Sequence, residues 1–369
     1  MTLIARYSVA VVLASCASAV WAQDIVIGLN QPLSGPNAAA GQERLTVTQA
    51  LFDRVNAAGG IGGRKLKLQA MDDKFQNEQA AANYRDLAGG PAVALLSCSG
   101  TGACSAIAPE VNKLKLPVIA PIAGGGAMRS GGNPYIFNLR PTTLDEINAM
   151  VKQMLLVGQK NIALVYQNDG FGKSGQAAAE QVFKQNNVKP AGEFPVEPGG
   201  ADADQVAAAL AKLPGLHGVV MVASPNATVK TIVATRKAGS AAQFYNLAAQ
   251  ANAQVVKDLG TNTRGVVFAA LVPHPWSTIV PIAKEYRDTV GTKANYSYAG
   301  MEFFIGAKLL VDAIKRAGPT VTRDTLVKAL ESMDEQHFGP MRVRYTSSDH
   351  EGSKYVNLTM IGQDGKFVQ

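Results

Sequence analysis

The sequence predicts an α/β protein made of two doubly wound lobes, each built on a parallel sheet, and three observations support this fold class. The chain has 369 residues, which is too long for a single ordinary hydrophobic core, so two domains are expected. Hydrophobic residues make up 47% of the chain and charged residues 17%, as in a globular protein. Short apolar runs alternate with segments of helical periodicity, which is the pattern of βαβ units and hence of parallel strands.

The first part of the chain shows this alternation from residue 25 onward. The apolar run 25–29 predicts a buried strand, and the apolar residues that follow recur at helical spacing up to Val55. Gly59-Gly60 then ends that helix, because glycine readily takes the left-handed conformation found at helix ends. The remaining elements predicted here are strands at 66–70, 92–96 and 118–122 and a helix at 105–114.

The alternation restarts after Arg140-Pro141. Two sheets fit this pattern better than one continuous sheet, and no low-complexity linker divides the chain. The lobes are therefore expected to share several short crossings rather than a single tether. The elements predicted in the second part are strands at 162–166, 219–222 and 265–271 and helices at 143–157, 172–186, 228–238 and 253–259.

The N-terminus has the pattern of a secretory signal peptide. Arg6 precedes an apolar stretch, and Val20 and Ala22 occupy the cleavage-determining positions, so cleavage is expected after Ala22. In an alternative interpretation, Leu13-Ala14-Ser15-Cys16 is a lipoprotein cleavage box and Cys16 would carry a lipid anchor. Either pattern predicts export, and no later apolar run reaches the roughly 18 residues that a membrane-spanning helix needs. The expected location is the periplasm.

The remaining cysteines and the charge pattern limit the kinds of site and partner. Cys98 and Cys104 lie in an oxidising compartment if the chain is exported, so a disulfide between them is predicted, with two free thiols as the alternative. No histidine or further cysteine lies near them, so they do not form a metal signature. The net charge of +7 is dispersed, and the densest basic stretch, Arg64-Lys65-Leu66-Lys67, has no interleaved aromatic residue. A solvated strand edge explains this stretch better than a nucleic-acid footprint does.

Small and polar residues follow two strands of the first lobe at the sheet edge where open α/β folds bind ligands. Ser99, Thr101 and Gly102 follow the strand 92–96, and Ala123-Gly124 follows the strand 118–122. Hydroxyls and exposed backbone N–H groups at a helix start suit an anion, so no cation is required there, and none lies nearby. Ordinary turn glycines are the alternative explanation for each such loop.

Two loops of the second lobe, 167–172 and 223–226, have the same character and contain candidate ligand residues. Four small-residue loops in two lobes favour a binding site over unrelated turns. Enzyme motifs are missing: the chain has no G-x-S-x-G elbow, no P-loop and no H-E-x-x-H. Asp72-Asp73 is expected to cap a helix or order a loop, since adjacent strand residues point to opposite faces. The sequence therefore predicts a protein that is not an enzyme and has no metal or other cofactor.

These segments carry a family resemblance. Residues 25–41, IVIGLNQPLSGPNAAAG, resemble the opening of the leucine/isoleucine/valine-binding proteins, which are type I periplasmic binding proteins of ABC transporters. The resemblance continues through GGIGG at 59–63, PVIAP at 117–121 and YQNDGFG at 166–172, and it covers essentially the whole mature chain. It implies capture of a small molecule by hinge closure and delivery to an inner-membrane permease and its ATPase, with the binding protein acting as a monomer.

The resemblance also implies three crossings between the lobes, near Pro141, near Val272-Pro273 and near residues 342–345. The expected organisation is a signal peptide at 1–22, a first lobe at 24–140 plus 273–342, and a second lobe at 141–272 plus 343–369. Two other functions remain open. A sensory receptor that presents its ligand to a membrane signalling partner would share the fold and the secretion signal, and an exported hydrolase would need a nucleophile–base pair in the cleft.

Carried over position by position, the family's ligand loops identify candidate residues and one departure. Relatives that bind branched-chain amino acids usually hold the ammonium group with an acid just after the strand 243–246, where this chain has Leu247-Ala248-Ala249-Gln250. Two expected aromatic residues are replaced by Ala40 and Ser224, and Asp169, which could simply cap a helix, is the nearest substitute acid. We therefore expect a small carboxylate-bearing ligand, with two alternatives open: a branched-chain amino acid, or a related aliphatic or aromatic acid that lacks the α-ammonium group. The candidate ligand-binding residues are Ser99, Thr101, Gly102, Ala123, Gly124, Phe171, Ser224, Asn226 and Gln250.

Overall fold

The structure is a computed structural model and describes residues 23–35, 37–124, 126–129, 132–362 and 365–369. The predicted signal peptide and Cys16 lie outside these residues. Strands and helices alternate as the sequence predicts, and the α/β fold class is confirmed. Within the residues described, no helix combines the length and the apolar character that crossing a bilayer requires.

The first sheet is wholly parallel and is formed by the first part of the chain. The elements up to residue 137 are β1 (Ile25–Gln31), α1 (Ala38–Ala57), β2 (Leu66–Asp72), α2 (Asn77–Gly89), β3 (Ala94–Leu96), α3 (Thr101–Leu114), β4 (Val118–Ile119) and β5 (Ile136–Phe137). The strands lie in the order β2-β1-β3-β4-β5. All residues of β1 are buried, as expected for a parallel strand covered on both faces, which is why it is a continuous apolar run in the sequence.

The next elements form most of the second sheet. They are α4 (Thr143–Leu156), β6 (Ile162–Gln167), α5 (Gly170–Gln185), β7 (Gly192–Val196), α6 (Ala203–Ala211), β8 (Gly218–Val222), α7 (Pro225–Lys237), β9 (Gln243–Asn246), α8 (Ala253–Leu259) and β10 (Val266–Ala270). Strands β6 to β10 are parallel to one another. The strand order changes direction at β6, because β6 pairs with β7 on one side and with β8 on the other.

The last part of the chain contributes to both layers of the fold, where a layer is one of the two sheets together with the helices that cover it. It contains α9 (Pro281–Val290), α10 (Tyr298–Ala317), α11 (Arg323–Glu331), β11 (Gln336–Phe338), β12 (Met341–Val343), β13 (Asn357–Ile361) and β14 (Phe367–Val368). Helix α10 packs on α1 and β3 of the first layer. Strands β13 and β14 extend the second sheet, with β13 antiparallel to β10, so the second sheet is mixed at this edge rather than wholly parallel.

The chain crosses between the two layers three times, between β5 and α4, between β10 and α9, and between β12 and β13. This is the arrangement of two lobes joined by a three-crossing hinge. The residue limits of 24–140 plus 273–342 and 141–272 plus 343–369 stay a prediction.

The predicted disulfide is present between Cys98 and Cys104, whose Cα atoms are 5.4 Å apart. It links the segment after β3 to the first turn of α3, and both cysteines are fully buried. They pack with Ala103, Ile107 and Met128 in one hydrophobic cluster. The disulfide therefore closes the short segment that contains Ser99, Thr101 and Gly102, three of the predicted ligand residues of the first lobe.

Candidate ligand-binding site

The candidate site lies at the carboxyl ends of the strands, where the strand order of each sheet reverses. In the first sheet β1 pairs with β2 on one side and with β3 on the other. In the second sheet β6 is flanked in the same way by β7 and β8. Open α/β sheets bind ligands outside such switch points. The loops after β3, β6 and β8, which the sequence singles out, therefore occupy the expected position in both lobes.

The loop between β3 and α3 is held in a defined shape. Ser97 and Gly100 have φ values of 69° and 89°, so the backbone turns through the left-handed region at two points. Ser99 is buried between them, whereas Thr101, the first residue of α3, is half-buried and Gly102 is exposed. Together with the disulfide, this backbone presents the hydroxyls of the predicted site at the start of a helix, where the helix dipole favours an anion.

The second predicted loop of the first lobe offers mainly backbone groups. Ala123 is 3% exposed and packs in the cluster around the disulfide, so its side chain belongs to the core. The carbonyl oxygen of Gly124 accepts a hydrogen bond from Thr143 N at 3.4 Å. This contact joins the loop after β4 to the first residue of α4 and ties the loop to the first crossing between the layers.

Arg44, which sequence reasoning missed, lies directly against the β3–α3 loop. Its Nη1 donates to Ser99 Oγ at 2.7 Å and to Gln31 Oε1 at 3.0 Å. Its guanidinium carbon lies 5.6 Å from the ring centroid of Phe303 on α10, within the range of a cation–π contact. Burial lowers the pKa of Arg44, although nearby carboxylates, led by Glu302, act in the opposite direction. The expectation that no cation lies near this loop is wrong, because α1 brings one from far along the chain.

Phe75, another residue that was not predicted as part of the site, lies beside the same loop. A Cβ placed on Gly100 would come within 2.9 Å of the Phe75 ring, and the Phe75 side chain is 49% exposed. The backbone of Lys74 and Phe75 is left-handed, with φ values of 52° and 60°, a region that few residues other than glycine adopt. Asp72 Oδ1 accepts from Lys74 N at 2.9 Å, and Asp73 Oδ1 accepts from Phe75 N at 2.8 Å. The two acids therefore order the turn that presents this ring.

In the second lobe, a hydrogen bond spans the switch point. Ser224 N donates to Gln167 Oε1 at 3.0 Å, which joins the loop after β8 to the end of β6. Gln167 Nε2 in turn donates to Asp169 Oδ2 at 2.6 Å, and Asp169 Oδ1 accepts from Gly172 N at 2.9 Å as the N-cap of α5. Both oxygens of Asp169 are thus engaged within its own loop, which favours the capping role over contact with a ligand.

Gln250 is 1% exposed and lies behind the loop that follows β8. Its Nε2 donates to Ala223 O, while its buried Oε1 has no hydrogen-bond partner among the described residues. The carboxyl group at this segment comes from Glu146 of α4, whose Oε2 accepts from Ala248 N at 2.7 Å. Burial raises the pKa of Glu146, although Arg140 lowers it in part. Glu146 was missed because it lies 102 residues away in sequence.

The other candidates of the second lobe have weaker support from the geometry. Phe171 is partly buried and packs against a hydrophobic cluster that includes residues of α4, α5 and β6. Asn226, in the first turn of α7, is exposed. The structure therefore brings Ser224 and Gln250 together around Ala223, and Ser99 together with Thr101 and Gly102, whereas Phe171 and Asn226 lie at the margins of these groups.

Comparison with known proteins agrees with this architecture. The family profile described as periplasmic binding protein matches residues 24–366. The chain is 23% identical over 326 residues to the Leu/Ile/Val-binding protein homolog 3 of Brucella melitensis, covering 85% of this chain and 84% of that protein. It is also similar to the solved structure of an extracellular ligand-binding receptor from Verminephrobacter eiseniae, with a TM-score of 0.85 and 28% identity over 94% of this chain and all of that one.

A more distant neighbour supports the fold alone. It is a branched chain amino acid ABC transporter protein from Thermus thermophilus, solved with bound valine, with a TM-score of 0.82 and 17% identity over 94% of each chain. The matching family and fold are those of substrate-binding proteins and not of enzymes. The chain belongs to the periplasmic binding proteins, and among these it is similar to the Leu/Ile/Val-binding protein homologs.

Proposed function

We propose that this protein is the solute-binding component of an ABC importer. It captures a small carboxylate-bearing molecule in the periplasm and delivers it to an inner-membrane permease with its ATPase. The observation that carries this proposal is the placement of polar loops at the switch point of each sheet, in two layers joined by three crossings. A ligand that contacts both layers only in the closed form would shift the hinge equilibrium towards that form.

The proposed ligand contacts come from both lobes. The first lobe contributes the hydroxyls of Ser99 and Thr101 and backbone groups of Gly102, Ala123 and Gly124. The second contributes the loop of Ser224 and the buried amide of Gln250, whose Oε1 has no hydrogen-bond partner among the described residues, with Phe171 and Asn226 at the edge. Ala248 stands where relatives that bind branched-chain amino acids usually carry an acid. The carboxyl group at this segment belongs to Glu146, which accepts from Ala248 N and whose pKa is raised by burial, so an organic acid without an α-ammonium group fits this set better than leucine or valine does.

Two measurements test ligand capture. Native mass spectrometry of protein purified without denaturation should detect a retained small molecule, which is lost after unfolding and refolding. A thermal-shift screen of simple organic acids, leucine and valine should then identify the class that raises the melting temperature. Absence of a retained solute together with no shift from any compound would contradict the proposed function, while strong stabilisation by leucine or valine alone would contradict the proposed ligand class.

Delivery needs a separate experiment in the source organism. Deletion of the gene should abolish uptake of the radiolabelled solute identified above, and a plasmid copy should restore it. Unchanged uptake in the deletion strain would contradict the importer role, even if the purified protein binds the solute. We also propose that residues 1–22 are a signal peptide, so the intact mass of the exported protein should correspond to a chain that begins at Gln23.

A further inference from the structure

The positive charge of Arg44, beside the candidate site, is not matched by a paired carboxylate. No carboxylate of the described residues forms an ion pair with Arg44 within 4.0 Å, whereas Arg140 pairs with Glu302 and Arg129 with Glu351. Among the carboxylates, Glu302 acts most strongly to raise the pKa of Arg44, followed by Glu43. A largely buried cation without a paired anion is costly, and such groups are normally paired.

Glu302 is already occupied by Arg140. Arg140 Nε lies 2.9 Å from Glu302 Oε1, and Arg140 Nη2 donates to Glu302 Oε2 at 3.1 Å. Arg140 therefore engages both carboxylate oxygens of Glu302, one by a hydrogen bond from Nη2 and the other by the ion pair with Nε. Arg44 has two neutral hydrogen-bond acceptors, Gln31 Oε1 and Ser99 Oγ, and both accept from the same nitrogen, Nη1.

Several donors in this group lack an acceptor. Arg44 Nε is buried without a hydrogen-bond partner among the described residues. The same holds for Nε2 of Gln31, whose side chain is fully buried and whose other amide atom contacts Arg44. The Nε atoms of Arg129 and Arg140 are also buried without a hydrogen-bond partner among the described residues, but each of these arginines forms an ion pair with a glutamate, which Arg44 does not. Unmet donors beside a cation define a place for an anion.

Two aromatic rings flank the same place. Phe303 lies against the guanidinium of Arg44, and Phe75 lies against Gly100, the residue next to Ser99, with about half of its side chain exposed. The left-handed backbone that presents Phe75 costs free energy and is retained by contacts to Asp72 and Asp73. An exposed ring beside an unpaired cation matches a ligand with one carboxylate and a flat apolar body.

We infer that Arg44 pairs with the carboxylate of the ligand and that Phe75 covers its apolar body, so that the solute is an aromatic carboxylate. This inference rests on the proposed solute-binding function and adds the residues that select the ligand. Glu43 and Asp73 are the competing sources of charge, and both influence Arg44 from beyond ion-pair distance. Glu43 Oε1 accepts a hydrogen bond from Ser297 Oγ, whereas Asp73 Oδ2 is buried without a hydrogen-bond partner among the described residues. If Asp73 neutralised Arg44, an uncharged ligand would bind as well as an acid.

The experiment compares acids with their amides, because the two differ in charge but hardly in shape. Benzoate and phenylacetate are titrated against benzamide and phenylacetamide, with leucine and valine included, by calorimetry on the full mature protein. We expect the acids to bind and the amides to bind at least 10-fold more weakly. Equal binding of acid and amide, or binding of leucine and valine alone, would overturn the inference while leaving solute binding intact.

Variants of two arginines on α1 provide the matched comparison. Arg44→Gln should weaken acid binding about 10- to 100-fold, the usual effect of a charge-assisted hydrogen bond, and Arg44→Lys should recover part of that loss. Arg54→Gln, which removes an exposed arginine bonded to Thr289, should bind within twofold of the parent. Acid binding by Arg44→Gln at parental strength would overturn the role of Arg44. Melting curves without ligand identify any variant that fails to fold, and the Arg44→Lys comparison then carries the test.

Further variants test the contributions of Phe75 and Asp73 separately. Phe75→Ala should weaken acid binding about 3- to 10-fold, with a melting temperature close to that of the parent because the ring is half exposed, and Phe75→Tyr should bind normally. Asp73→Asn should leave acid binding unchanged or stronger. Equal binding of acid and amide by the parent, with acid selectivity appearing only in Asp73→Asn, would instead show that Asp73 neutralises Arg44. A protein that binds no compound of the panel and retains no native solute would contradict the proposed function itself.

Discussion

Gly124 and Thr143 lie so close that a Cβ on the glycine would come 2.2 Å from Thr143 Oγ1. The contact joins the loop after β4 in the first layer to the start of α4 in the second. It explains why a glycine is needed here even though its φ is not left-handed. It also places one of the predicted ligand residues at the first crossing between the layers, where small changes in the backbone affect both lobes.

This contact predicts a compensating pair of substitutions. Gly124→Ala should lower the free energy of unfolding by about 1–3 kcal/mol through overpacking, and Thr143→Ala should restore part of it by removing Oγ1. Thr143→Ser retains that oxygen and should not compensate. Urea unfolding of the single and double variants measures the coupling. Strictly additive effects of Gly124→Ala and Thr143→Ala would show that the close approach is not the cause.

The ion pair of Arg140 and Glu302 predicts a large loss of stability on removing one partner. Their side chains are only 8% and 11% exposed, so Glu302→Gln leaves a buried cation without its partner and should cost about 3–5 kcal/mol. Lys284→Gln, which breaks the exposed pair with Asp288, serves as the control and should have no measurable effect. Equal unfolding curves for Glu302→Gln and the parent would contradict the structural role of the pair.

Glu146 predicts a specific dependence of stability on pH. Because burial raises the pKa of its carboxyl group above the ordinary value of 4.5, the folded protein holds this proton more tightly than the unfolded chain does. The protonated Glu146 therefore stabilises the folded protein. This stabilisation is fully present below about pH 4.5 and is lost as the pH rises through the raised pKa of the folded state. Glu146→Gln keeps an acceptor for Ala248 N but cannot ionise, so its stability relative to the parent should increase over this interval.

Urea unfolding at a series of pH values measures the difference between Glu146→Gln and the parent. The difference between the two proteins isolates Glu146, since other buried carboxyls titrate equally in both. Glu180→Gln, at an exposed position of α5, controls for the loss of one negative charge. A difference that stays constant with pH would contradict the assignment.

The disulfide predicts coupled losses of stability and ligand affinity. Cys98→Ala/Cys104→Ala removes the link across the β3–α3 loop and should lower the free energy of unfolding by about 2 kcal/mol, as expected for such a short closed segment. Ligand affinity should decrease as well, because Ser99 and Thr101 lie within the segment that the bond constrains. Cys104→Ala alone separates the effect of the bond from that of the second side chain. Unchanged affinity in both variants would show that the loop keeps its shape without the disulfide.

The alternation of strands and helices could be predicted because it depends on local periodicity. Helix 143–157 and strand 162–166 were predicted within one residue of the observed α4 and β6. The antiparallel pairing of β13 with β10 was not predicted, because it joins segments distant in sequence and leaves no local pattern. The disulfide could be predicted because export and the short spacing of Cys98 and Cys104 are both visible in the chain.

The charged part of the candidate site could not be predicted in the same way. Arg44 occupies an ordinary position in an amphipathic helix, and only the packing of α1 against the β3–α3 loop brings it to Ser99. One signal was available: the first turns of a helix after a strand lie at the ligand edge of the sheet, so a cation there merited attention. Phe75 follows Asp72-Asp73, which were correctly expected to order a loop, but the residue presented by that loop was overlooked.

The last third of the chain completes both layers, which has a consequence for how the protein can be divided. Helix α10 covers α1 although it begins only at Tyr298, and β13 borders the second sheet from residue 357. A fragment that stops at Arg140 would leave the apolar face of α1 open to water, and one that stops at Val272 would leave the edge of β10 unpaired. The first layer therefore stays incomplete until α10 has been made, and the second until β13 has been made, so a cut at either crossing separates each sheet from an element that it needs.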